Sequence, residues 1–175
     1  MRCFISIDVP ENLREELVKM QEQLKMQDLN AKFVEKHNFH LTLKFIGEIS
    51  DSKIESIKEK LKQVKYKKFK THFGKVGVFS SENYIRVIWL SLEPEEEFEK
   101  IASQINTILP FGDKRFASHV TLARVRMIKD KKALIEKIKK IKILKMEFNV
   151  ENFKLKKSAV MRTGPVYEDL CVYDL

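Results

Sequence analysis

The chain has 175 residues, which fits one domain or two small lobes sharing a core and excludes a large multidomain assembly. Hydrophobic residues make up 43% and charged residues 34%, with five Gly and four Pro, so disorder and low complexity are excluded as the main organisation. The net charge of +9 favours anionic partners such as nucleic acid, nucleotides or membrane surfaces, although Lys and Glu set among Ile and Leu is also a composition of thermophile proteins.

Residues 4–9 read as a strand, rich in β-branched and aromatic side chains and ended by Pro10. Leu13, Leu17, Met20 and Leu24 recur at helical steps, which places one apolar stripe on a helix over 11–26. A polar turn leads to a strand over 39–46 ended by Gly47. Asp51 or Ser52 then caps a helix that turns Ile54, Ile57, Leu61 and Val64 inward. A strand over 69–79 follows, interrupted around Gly74 and Gly77. From Tyr84 the pattern restarts: strand 85–92, Pro94, helix 95–109, strand 117–125, helix 130–141, and closing strands over 146–155 and 170–173.

This order is a duplication. Pro10 and Pro94 each end a strand and open a helix, and Phe69 and Phe148 each open a strand 29 residues after a His-x-Thr histidine. The halves, 1–80 and 84–175, are each too short to hide a sheet face alone, so one bilobal domain over 1–175, packed around a shared groove, is expected. Cys3 and Cys171 are too few for a disulfide framework or a cysteine-built metal site and read as buried small side chains in a reducing compartment. The first residues alternate and meet Asp8 and Pro10 before an apolar signal core forms, and no stretch approaches a membrane span; a cytoplasmic location is expected.

His40-Leu41-Thr42-Leu43 and His119-Val120-Thr121-Leu122 occupy the equivalent strand of each half, 79 residues apart. Side chains alternate across a strand, so each histidine and threonine leave one face while Leu41, Leu43, Val120 and Leu122 enter the core. A lone His on a strand is ordinarily structural. Matched placement in a repeat is not, and His37 and His72 keep the structural reading. Two imidazoles facing one groove can act as base and acid near neutrality, and two threonine hydroxyls can donate to the oxygens of an anion between them. Displacement at phosphorus suits that set, with a cyclic phosphodiester as the fitting substrate. A metal site is the competing chemistry, but two His with Thr neighbours supply too few ligands, so neither metal nor other cofactor is expected.

Paired H-x-T-x motifs in a small basic duplicated chain resemble the two-histidine phosphodiesterase superfamily. The stretches 38–47 and 115–124, and 158–167 with Gly164-Pro165-Val166-Tyr167, resemble the RNA 2',3'-cyclic phosphodiesterases, also called 2'-5' RNA ligases, along essentially the whole chain. The resemblance implies an α+β fold of two antiparallel sheets flanked by helices, with a groove on a pseudo-twofold axis. It implies metal-independent and ATP-independent opening of a 2',3'-cyclic phosphate to a 2'-phosphate, the reverse direction joining RNA ends by a 2'-5' bond. RNA ends, tRNA fragments among them, would be the partner, with the protein a monomer. Carried over, His40 is the proton donor to the leaving 3'-oxygen, His119 the acceptor that activates water, and Thr42 and Thr121 hold the phosphate oxygens. The family also places an Arg at Arg124, although strict alternation puts that residue on the opposite face from Thr121. Ser118 stands where this branch usually has proline, which leaves the approach to His119 less constrained.

Lys44, Arg115, Arg126 and Arg162 are further candidates for backbone contacts, and Phe45, Phe116 and Tyr167 for base stacking, each against a surface or core role. Two other functions fit parts of the pattern. One is a noncatalytic RNA-binding module of the RRM type, echoed weakly in Lys75-Val76-Gly77-Val78-Phe79; the other is a phosphodiesterase for a different cyclic ester such as ADP-ribose 1'',2''-cyclic phosphate.

Overall fold

The structure, a computed structural model, describes residues 1–143, 146–162 and 164–175, so that Thr163, inside the third family-like stretch, lies outside the described residues. The first half runs β1 (Arg2–Asp8), α1 (Glu11–Leu24), β2 (Leu29–Phe33), a 3-10 turn (Lys36–Asn38), β3 (His40–Glu48), α2 (Asp51–Leu61) and β4 (Phe69–Ser81). The second runs β5 (Tyr84–Glu93), α3 (Glu95–Ile108), β6 (His119–Ile128), α4 (Lys131–Lys140), β7 (Glu147–Val150) and β8 (Asn152–Met161), and β9 (Gly164–Asp174) follows.

The periodic apolar residues do what their spacing requires. Leu17 and Leu24 of α1, Phe98, Ile101 and Ile105 of α3 and Leu134 of α4 are fully buried, and they join the inner faces of the strands in one core. Asp130 caps α4 by accepting from the Ala133 N–H at 2.8 Å. At α2 the cap position falls to Ser50 rather than Asp51 or Ser52, because both already lie in the helix.

The strands form one antiparallel α+β sheet in the order β7-β4-β5-β6-β3-β1-β8-β9, with β2 added beside β6. Two sheet halves meet at a single ladder pair, Leu41 with Val120. The last long strand of each repeat crosses over: β4 pairs with β5 of the second repeat, and β8 with β1 of the first. β7 and β8 stand far apart in the order but are joined through Glu151 alone. Since one residue spans only about 3.5 Å, the sheet has to curl until its two ends approach.

Two ladder pairs, Leu41 with Val120 and Lys70 with Asn149, join residues 79 positions apart, the offset that separates His40 from His119. Equivalent residues can pair with each other only where a local twofold axis passes between them. These two pairs therefore mark the pseudo-twofold axis.

Four further expectations need correction. β2 is absent from the pattern of the sequence: five residues, two of them Asn30 and Lys32, carry little strand signal, and the strand exists because β6 offers it an edge. The strand expected over 146–155 is broken at Glu151 and runs on to Met161. β9 is far longer than 170–173, because an edge strand tolerates the exposed Glu168 and Asp169 that mask its pattern. Cys3 is buried, but Cys171 on that edge is half-exposed.

Candidate active site

β3 and β6 touch at Leu41 and Val120 and then diverge, and β2 fills the edge of β6 beyond that point. The carbonyl of Leu122, left without a β3 partner, accepts from Val34 N at 3.0 Å and from the buried Gln21 Nε2 at 2.8 Å. Above this junction opens a cavity of about 550 Å³ whose lining includes all five expected site residues: His40, Thr42, His119, Thr121 and Arg124.

Arg124 reaches the cavity through a register irregularity. Ile88 pairs with Ala123 but Trp89 pairs with Thr121, so β6 carries one extra residue, Leu122. Such a bulge resets the alternation and turns Arg124 to the same face as His119 and Thr121. The equivalent irregularity lies in β3, where Ile5 pairs with Lys44 and Ser6 with Thr42; it turns Phe45 into the cavity and Lys44 away from it. The objection from strict alternation is thereby removed for Arg124. Lys44, a candidate for contacting the substrate backbone, is instead 1% exposed, with Nζ donating to Asn106 Oδ1 at 2.5 Å.

Each imidazole is oriented in the same way. His40 Nδ1 donates to the carbonyl of Asn38 at 2.7 Å, and His119 Nδ1 to that of Ala117 at 2.7 Å. A carbonyl can only accept, so Nδ1 carries a proton and Nε2 is the nitrogen available to the cavity. Rings enclose both. Phe4 and Tyr167 stand 5.1 and 5.3 Å from His40, and Phe79 and Trp89 stand 5.1 and 6.5 Å from His119. Gly77 admits the indole, since a β-carbon there would sit 2.4 Å from the Trp89 ring. Desolvation among these rings lowers His40 to about 4, against partial opposition from its carbonyl bond and from Asp8. It lowers His119 as well, and the charge of Arg124 adds to the effect on both.

The surroundings differ where the motifs do not. Opposite His40 the β1 partner is Asp8, bound to Lys154 and Lys156 at 2.9 Å each; both lysines also bind Asp169. Opposite His119 the partner is Ser91. Asn38 Nδ2 donates to the carbonyl of Pro165 at 3.0 Å and ties the His40 carbonyl holder to β9. On the other side Ser118 takes over the constraint expected of proline. Its Oγ donates to the Leu92 carbonyl at 2.7 Å and its N–H, which proline lacks, donates to Glu95 Oε1 at 3.2 Å.

Of the remaining candidates, Phe45 and Tyr167 line the cavity. Phe116 packs partly against the core, Arg115 is held in an exposed pair with Asp113, and Arg126 and Arg162 are exposed outside the lining. The sequence reading passes over the enclosing rings of Phe4, Phe79 and Trp89 as site residues. Periodicity marks them only as strand apolars; Phe4 reaches His40 because β1 pairs with β3, and Phe79 and Trp89 reach His119 because the crossover pairs β4 with β5 and β5 with β6. Among the described residues no group of three or more His, Cys, Asp or Glu is placed to hold a metal ion, and no helix is long and apolar enough to cross a membrane.

Twin His-x-Thr strands on a curled antiparallel sheet define a phosphoesterase of the two-histidine class. The family model described as LigT like Phosphoesterase matches residues 7–89 and again 90–167, once per repeat, and the chain belongs to that family. It is 37% identical over 172 residues to an RNA 2',3'-cyclic phosphodiesterase of Methanocaldococcus jannaschii, covering 96% of this chain and 97% of that protein. An Archaeoglobus fulgidus protein of the same name is 32% identical, with 99% and 100% covered. A crystal structure of a Thermus thermophilus protein superposes with a TM-score of 0.80 at 26% identity, covering 100% and 98%. Escherichia coli LigT complexed with 3'-AMP shares the fold with a TM-score of 0.79 at 22% identity, covering 99% and 97%. The chain is an enzyme of the phosphoesterase class, and the noncatalytic RRM-type alternative gives way to this membership.

Proposed function

We propose that the protein opens the 2',3'-cyclic phosphate at RNA ends to a 2'-phosphate, with His40 and His119 as the acid–base pair. The observation that carries this reading is the pair of identically oriented imidazoles lining one cavity on equivalent strands. The names of the relatives supply the substrate class.

In the proposed step His119 Nε2 takes a proton from a water whose oxygen forms the new bond to phosphorus. The P–O3' bond breaks on the opposite side, and His40 Nε2–H gives its proton to the departing oxygen. The product is a 2'-phosphate beside a free 3'-hydroxyl. Thr42 and Thr121 donate to the non-bridging oxygens, and Arg124 offsets the charge that gathers on them. A 5'-hydroxyl in place of water would join two RNA ends through a 2'-5' bond, with His119 taking the hydroxyl proton.

The test is incubation with an oligoribonucleotide ending in a 2',3'-cyclic phosphate, in chelator, with identification of the product terminus. A 2'-phosphate is expected. A 3'-phosphate contradicts the assigned leaving group, and a requirement for added metal contradicts the acid–base mechanism.

A further inference from the structure

The two motifs are alike, but the side chains paired with them across the sheet are not. From Thr42 the ladder partners run to Ser6 and on to Lys154; from Thr121 they run to Trp89 and on to Gly77. Partners directly opposite share a face of the sheet, so these rows stand beside the histidines. Next to the first row His40 is opposite Asp8, and next to the second His119 is opposite Ser91, whose hydroxyl donates to Glu93 Oε1 at 3.4 Å. An indole set over a glycine flanks one imidazole, and a charged cluster flanks the other.

That cluster is balanced. Asp8 binds Lys154 and Lys156 at 2.9 Å each, both lysines bind Asp169, and Lys156 is buried. Two ammoniums against two carboxylates explain how the charges tolerate their partial burial. Balance does not explain why one carboxylate stands opposite a site imidazole in one repeat and not in the other.

The imidazole that serves as acid has to be charged when the leaving oxygen departs. Burial opposes this at His40 and lowers it to about 4, and the charges of Lys156 and Arg124 act in the same direction. Asp8 acts against them, as does the carbonyl of Asn38. Tyr167 of β9, the remaining titratable ring against His40, stays neutral because burial raises it. Arg2, Lys32 and Glu35 line the same cavity.

We propose that Asp8 is a positioning residue that assigns the proton: its carboxylate, held by Lys154 and Lys156, favours imidazolium at His40 and leaves His119, opposite a serine, to act as base. This rests on the function proposed above and supplies the order that two identical motifs lack.

The experiment measures the single-turnover rate of opening of a nucleoside 2',3'-cyclic phosphate, at saturating protein, from about pH 5 to 9 in the wild type and three variants. On the alkaline limb the rate follows the fraction of acid still protonated, and on the acid limb the fraction of base already neutral. Asp8→Asn, which keeps the size and an acceptor for the lysines, is expected to lower the alkaline limb about three- to tenfold and leave the acid limb in place. Lys156→Met leaves the carboxylates in excess and is expected to raise the alkaline limb about two- to threefold. Asp169→Asn removes the same charge from the same cluster on β9, beyond β8, and is expected to lower the melting temperature while moving the alkaline limb less than about twofold.

Equal effects of Asp8→Asn and Asp169→Asn, or a loss uniform with pH, make the cluster a structural clamp only and overturn the proposal. So does an acid limb that rises in Asp8→Asn, because His40 is then the base. Should Asp8→Asn not fold, Lys156→Met carries the test, and an alkaline limb that stays or falls overturns the role. A wild type that opens no cyclic phosphate ends the function reading; an active wild type whose variants leave both limbs unmoved ends the role of Asp8 alone.

Discussion

Leu41 of β3 and Val120 of β6 pair with each other across the pseudo-twofold axis, and each is flanked by the histidine and threonine of its own motif. One ladder pair thus brings two strands from distant parts of the chain into register and sets two His-x-Thr faces beside one cavity. Both residues are fully buried, so the registration rests on core packing rather than on the site's own polar groups.

The two imidazoles should fail together. His40→Ala and His119→Ala are each expected to lower turnover of a nucleoside 2',3'-cyclic phosphate by at least about 10²-fold, and the double variant should lose little beyond the worse single one. Steady-state kinetics on purified, folded variants checks this. Near-normal rates in both singles would end the acid–base assignment.

The pH dependence follows from desolvation. In the free protein His40 lies near 4 rather than 6.5 and His119 is also lowered, so both rings are neutral at pH 7. A phosphodiester anion between them stabilises the imidazolium and raises both values. The bell-shaped profile of kcat should therefore lie at higher pH than that of kcat/KM, which reports the free protein and should peak on the acid side of 6.5. Coincident profiles would contradict this. Stability carries the same sign: the unfolded chain protonates first as pH falls from 6.5 towards 4, so stability is lost across that window, less steeply in His40→Gln.

The bulges at Leu43 and Leu122 reverse the faces that strict alternation gives two cations, turning Arg124 toward the cavity and Lys44 away from it. Arg124→Ala is expected to lower kcat/KM by about 10- to 100-fold, because it removes a cavity-lining cation that in the proposed mechanism offsets the phosphate charge. Lys44→Met should leave kcat/KM within about twofold, since the buried ammonium bonds Asn106 and the Asp113 carbonyl away from the cavity, and its loss should appear instead as a lower melting temperature because those acceptors are left unpaired. Kinetics with thermal melts on both variants distinguishes them; equal kinetic losses would contradict the register.

Ser118 is expected to act on His119 through the backbone. Ser118→Ala removes the buried bond to the Leu92 carbonyl and should cost about 1 kcal/mol of stability, with kcat falling more than KM changes. Glu95→Gln keeps an acceptor for the Ser118 N–H and should do less than Glu95→Ala. The order of the three variants in melting temperature and kcat is the measurement, and a silent Ser118→Ala would remove the role.

The linear chain determined a good deal of this protein. The repeat, the helices with their buried stripes and both His-x-Thr faces were legible, because helical and strand periodicities are local and each half writes them independently. Tertiary structure decided the rest. That β4 and β8 exchange between sheet halves, that one bulge swings Arg124 inward and another swings Lys44 outward, and that Tyr167 stands against a histidine 127 positions away depend on which edges meet. Strand pairing is a contest among edges distant in sequence, settled by burial of the whole sheet, and no local pattern records its outcome.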